Sequence, residues 1–225
     1  MRFPMIALFL LVSAVSLFNC AFTTSPALIG STGDAEFEQM AARGEVLFLL
    51  PPHMTFEDAA TETPLPSYSH GGDQVHAIMM STVFEGLHEA GFRVLTQDSV
   101  ETNAQSAAGT VIQRLNEECH VLTSHTKDKS ALLPLLRQLA EITGANVACV
   151  QTVRAKIGSD AMWDFVNTGA MAQGTSSSAI KVVLVSLTNG DIVWSNESFV
   201  RYKPTSSKFN QAVKMLFTTS KRRRN

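Results

Sequence analysis

Apolar positions along the chain fall into continuous runs and helical stripes, and each pattern predicts an element. Glu45-Val46-Leu47-Phe48-Leu49-Leu50 is almost wholly apolar and stops at Pro51-Pro52, which reads as a buried strand with a rigid exit. Asn146 to Val153 and Ala179 to Leu187 are further runs of strand type. From Asp73 to Ala90 the pattern changes period. Val75, Ile78, Met79, Val83, Phe84 and Leu87 lie on one helical face, and Gly91 suits the left-handed residue that closes a helix. Phe92-Arg93-Val94-Leu95-Thr96 then gives a strand, so residues 45–96 form a strand–helix–strand unit that favours a parallel pair.

Two more helices are expected over about residues 107–119 and 130–142. The second carries Leu132, Leu133, Leu136, Leu139 and Ala140, tolerates Pro134 in its first turn and ends at Gly144. Thr188-Asn189-Gly190-Asp191 between two β-rich runs signals a hairpin. After Pro204, Ser206-Ser207 can cap a helix whose stripe is Phe209, Ala212, Val213, Leu216 and Phe217. The predicted fold class is α/β (α+β mixed): a single mixed β-sheet flanked by helices, with a C-terminal antiparallel hairpin and helix, spanning residues 45–219. Two stretches read as long loops, the Pro-rich 51–72 with Tyr68, and 156–178 with Trp163 and Phe165 and one short strand. Long loops inside a compact domain tend to be functional or disordered; Tyr68, Trp163 and Phe165 are the candidate partner contacts, with core packing the open alternative for Trp163 and Phe165.

Ahead of this domain the pattern is different. From Phe3 to Phe18 there is no charge, Arg2 precedes the run, and no polar face exists. The stretch is shorter than the roughly 20 residues a membrane-spanning helix requires, and it has the length of a secretory h-region. Residues 1–19 are therefore expected to be a signal peptide. Residues 20–44 follow as a small, turn-prone tether, with a short helix at Glu36 to Ala42.

Composition adds limits. Among 225 residues, 45% are hydrophobic and 17% charged, which is globular rather than disordered. The formal charge of −2 argues against nucleic acid as a partner. Lys221, Arg222, Arg223 and Arg224 leave −2 − 4 = −6 for the rest. That basic tail, residues 220–225, suits either a lipid or lipopolysaccharide phosphate surface or a solvated terminus.

Candidate chemistry is sparse. His53, His70, His76, His88, His120 and His125 show no metal-ligand spacing; His76 and His88 stand about 18 Å apart along one helix. No nucleophile elbow, P-loop or metal-type cysteine pair occurs, and Glu57-Asp58 and Glu117-Glu118 read as solvated surface. No cofactor, metal or catalytic residue is expected. Cys119 and Cys149 are expected to be unpaired, although export to an oxidising compartment permits a disulfide.

The leader ends in Leu17-Phe18-Asn19-Cys20, which resembles a bacterial lipoprotein processing box. The resemblance implies cleavage before Cys20, a diacylglyceryl group on its thiol and, with Ala21 next, residence at the outer membrane. Ordinary signal-peptidase cleavage, after Ala14-Val15-Ser16 or Cys20-Ala21, is the open alternative and gives a soluble periplasmic protein. Further along, Ala90-Gly91-Phe92-Arg93-Val94, Leu139-Ala140 with Thr143-Gly144-Ala145-Asn146-Val147, and Val182 to Trp194 carry a second resemblance. They resemble the mixed α/β domain shared by the curli-secretion lipoprotein CsgG, the peptidoglycan-synthase activator LpoB and the N-terminal domain of TolB, and small envelope lipoproteins built on it. Ser186 stands where that pattern has Asp, and no catalytic residue comes with it. The resemblance implies a lipid-anchored, non-catalytic binding or assembly factor with an envelope protein partner or a second copy of itself. A soluble periplasmic hydrolase or metal-binding protein is the rival class.

Overall fold

The computed structural model describes residues 27–65, 71–100, 105–158 and 176–222. Seven strands form one mixed sheet: β1 (Ala27–Thr32), β2 (Val46–Leu49), β3 (His53–Asp58), β4 (Arg93–Leu95), β5 (Val147–Ile157), β6 (Ser177–Ser186) and β7 (Ile192–Val200). The helices are α1 (Asp34–Ala42), α2 (Gly72–Ala90), α3 (Gln105–Glu117), α4 (Cys119–Leu122), α5 (Leu133–Thr143) and α6 (Ser207–Arg222). Strand order is β1-β7-β6-β5-β2-β4, with β3 also on β5. The expected mixed sheet, hairpin and C-terminal helix are all present.

Two apolar layers explain the continuous runs. One side of the sheet packs Leu47, Leu49, Cys149, Val153, Ile180, Val182 and Leu184 beneath α1, α2 and α6. The other packs Phe48, Ala148, Val150, Val183 and Val185 beneath α3, α4 and α5. A strand covered on both faces has no polar alternation to show. The α2 stripe behaves as its spacing predicts: Val75, Met79, Val83 and Leu87 are fully buried, while Ile78 and Phe84 are partly so. Gly91, Gly144 and Gly190 all take positive φ, at the two helix ends and the hairpin turn where each was expected.

Two expectations need correction. Residues 27–42 are not a spacer: β1 pairs antiparallel with β7, from Ala27 opposite Phe199 to Thr32 opposite Ser195, and α1 follows at once. Phe37 and Met40 are buried in the first core layer. β1 mixes small, polar and apolar residues because it is an edge strand, and its pairing comes from a segment some 160 residues away. Nor is 51–72 simply a loop. Beyond Pro51-Pro52 the chain returns to the same edge of β5, where His53–Asp58 pair in parallel with Thr152–Ile157. β2 and β3 thus follow one another along the same side of β5, separated by two prolines, which cannot donate ladder hydrogen bonds. At the break, the Leu50 amide still donates to the Cys149 carbonyl (3.0 Å), and the Leu50 carbonyl accepts from Nε2 of buried Gln151 at 2.8 Å.

Cys119 and Cys149 are buried and free, as expected, and they lie in opposite core layers with the sheet between them. The short strand expected within 156–174 falls almost entirely on residues outside those described.

Candidate functional site

The candidate residues Cys20, Tyr68, Trp163 and Phe165 all lie outside the described residues. Two concave surfaces within it are built from other side chains.

A groove of about 350 Å³ opens between α1, α2 and α6. Its floor is aromatic. The Trp194 ring lies 4.7 Å from that of Phe37 and stacks on Phe217 at 5.9 Å, and Phe37 meets Phe92 at 5.1 Å. Trp194 is 3% exposed, and its indole N–H donates to Asp34 Oδ1 at 3.2 Å, so the polar handle of a buried ring is satisfied. Gly86 lets α2 approach α6: a Cβ there would sit 2.4 Å from the Phe217 ring. Ala41 and Ala90 complete the apolar lining, while Glu38, Glu85, Glu89 and Lys214 stand at the rim. The surface therefore offers an apolar strip edged by three carboxylates and one ammonium. An isolated glycine inside a helical stripe is a signal of close packing, and Gly86 carried that signal in the sequence. The rest of the groove draws on three distant segments and had none.

The second surface is the half of the sheet that α3 to α5 leave uncovered. Past Val150, β5 alternates polar residues outward. Thr152 aligns with His53 on β3 and Lys181 on β6, and Lys181 with Glu197 on β7. A cavity of about 300 Å³ lies between these residues, Arg154 and the α4 side chains of Cys119 and His120. The Lys181 ammonium donates to the Thr123 carbonyl at 2.9 Å, pinning the end of α4 to the sheet. The fold thus places His53 and His120 on one cavity, a juxtaposition their 67-residue separation did not suggest. Among the described residues no group of three His, Cys, Asp or Glu side chains could hold a metal ion. Burial pushes the Cys119 thiol up to about 11, against a smaller opposing pull from Arg154. At neutral pH it stays a protonated thiol, the form that is not a nucleophile. This surface can hold a ligand by hydrogen bonds and charge, and its thiol is unsuited to covalent catalysis.

No helix among the described residues is long and apolar enough to cross a membrane. No family model and no curated protein matches the chain. Solved structures resemble it at low similarity. Lipoprotein GNA1162 from Neisseria meningitidis is 17% identical over 80% of this chain and 96% of that one, with a TM-score of 0.44. The PelC dodecamer from Paraburkholderia phytofirmans is 11% identical over 79% and 84%, with a TM-score of 0.36. The LpoB C-terminal domain from Salmonella enterica is 12% identical over 73% and 95%, with a TM-score of 0.34.

Proposed function

We propose that this chain is an outer-membrane lipoprotein, anchored through acylated Cys20 on the periplasmic side, that works as a non-catalytic binding or assembly factor in the envelope. The observation that carries the reading is the uncharged run from Phe3 to Phe18 ending in Leu17-Phe18-Asn19-Cys20. Such a leader directs export, and a cysteine at its end supplies the thiol for the lipid. Binding is supported by the groove between α1, α2 and α6, whose apolar floor and carboxylate rim suit a protein segment carrying apolar and basic side chains. The partner is an envelope protein, serving either secretion and surface assembly or peptidoglycan synthesis; a second copy of the chain is the competing occupant.

The reading is tested by Cys20→Ser in cells that make the protein. The variant is expected to leave the membrane fraction and to change mobility on a denaturing gel. Unchanged behaviour in both assays contradicts lipidation. A photo-crosslinking residue in place of Glu89 is expected to capture one partner in intact cells, and mass spectrometry then identifies it.

A further inference from the structure

The register of β1 sets which way the domain faces. Ala27 pairs with Phe199, one residue before β7 ends at Val200. The chain therefore joins the sheet at the end where β7 finishes, and β1 runs from there towards Thr32. The same end carries the close of β3 at Asp58 and of β5 at Ile157, paired with each other. The tight turn after Asp58 lies there, as does Arg201 just beyond β7. Within that turn the Asp58 carboxylate accepts the amides of Ala60 and Thr61, at 2.9 and 2.8 Å, and Glu62 pairs with Lys156.

The opposite end is far off. α6 starts beside the close of β7 and has 16 residues, about 24 Å of helix. Phe217, near its C-terminus, stacks on Trp194, near the start of β7. The Asn196 side chain donates to the Leu216 carbonyl at 2.7 Å, fixing the helix along the strand. The groove and the C-terminal end of α6 consequently lie at the end away from the entry of β1.

Chain length turns this into a constraint. From Cys20 to Ala27 are seven residue steps, which span at most about 25 Å fully extended. Because β1 is already part of the sheet, nothing beyond those steps can lift the domain. Resting on the reading of Cys20 as the lipidated residue, we infer that the β1-entry end of the domain, with the Ala59–Thr63 turn and Arg201, lies against the lipid headgroups, and that the groove and the C-terminus of α6 face away from the bilayer. To bring the end of α6 to the same leaflet, the seven steps from Cys20 would have to run back along the sheet.

Fluorescence quenching tests the orientation. Ala60 at the entry end and Thr188 at the far end are both exposed, so Ala60→Cys and Thr188→Cys accept a thiol-reactive fluorophore. Buried Cys119 and Cys149 stay unlabelled. Each full-length lipidated variant is reconstituted into phosphatidylethanolamine–phosphatidylglycerol vesicles containing a lipid with a quencher on its headgroup. The Ala60→Cys label is expected to lose fluorescence, and the Thr188→Cys label to keep it. Equal quenching, or stronger quenching at Thr188→Cys, overturns the orientation. Intact mass of the same samples separates the two ideas. Acylated protein with the wrong quenching pattern defeats the orientation alone; protein lacking acyl mass on Cys20 defeats the lipoprotein reading and the orientation with it.

Discussion

The indole N–H of Trp194 on β7 donates to the carboxylate of Asp34, the first residue of α1, at 3.2 Å. The bond crosses 160 positions of sequence and locks the start of the domain to its last strand. Asp34 also accepts from Ser31 Oγ at 2.8 Å, and a carboxylate in a helix's first turn is favoured by the exposed amides there. Asp34→Ala leaves the buried indole N–H without this acceptor, and is expected to cost about 1–3 kcal/mol of stability. Urea unfolding of the two proteins measures it, and equal midpoints contradict the role.

Gly33 stands between β1 and α1 at φ 77°. A Cβ there would lie 2.1 Å from the Val193 carbonyl oxygen. Gly33→Ala therefore combines a disfavoured backbone with a clash, and at least about 2 kcal/mol of destabilisation follows. Hydrogen exchange should quicken first in the β1 amides, because the clash falls on their junction with β7. Exchange that quickens uniformly speaks against this local account.

Gln151 is wholly buried and its side-chain amide donates to Leu50 O at 2.8 Å. That carbonyl sits at the proline break between β2 and β3. Gln151→Met preserves the bulk and removes the donor, so the carbonyl loses this partner at a cost of about 1–3 kcal/mol. A variant as stable as the parent in urea shows that the break does not depend on Gln151.

The two buried thiols give stability an alkaline limit. Burial raises the Cys119 thiol from the ordinary 9.0 to about 11 in the folded state and raises Cys149 as well. Between those values the unfolded chain ionises while the folded one holds its proton. The contribution is thus fully present below pH 9 and is lost as pH rises towards 11. Unfolding free energy measured across that range should fall, with part of the slope removed in Cys119→Ala. A flat profile contradicts the burial of the thiols.

Much of the fold was legible because its central strands are buried on both faces and its two largest helices carry one clean stripe each. Val182 to Val185 and the Phe209–Phe217 stripe needed no knowledge of their neighbours. β1 and β3 were hidden for the opposite reason. His53-Met54-Thr55-Phe56-Glu57-Asp58 alternates, but with only two apolar residues, Met54 and Phe56, and directly after Pro51-Pro52; it becomes a strand because β5 runs past β2 and offers a free edge. The groove was hidden too, since α1, α2 and α6 share it only once folded, although Gly86 marked one wall. The proposed anchor rests on a pattern of charge and apolarity in the leader alone, a signal that tertiary packing neither adds to nor removes.

Anchoring through Cys20 is the central claim, and the mass spectrum of the N-terminal peptide of protein purified from cell envelopes tests it most directly. The account predicts that residues 1–19 are absent and that Cys20 is the first residue, heavier by a diacylglyceryl group. An unmodified Cys20 in a peptide that still begins at Met1, or a mature chain starting elsewhere with no lipid, contradicts it.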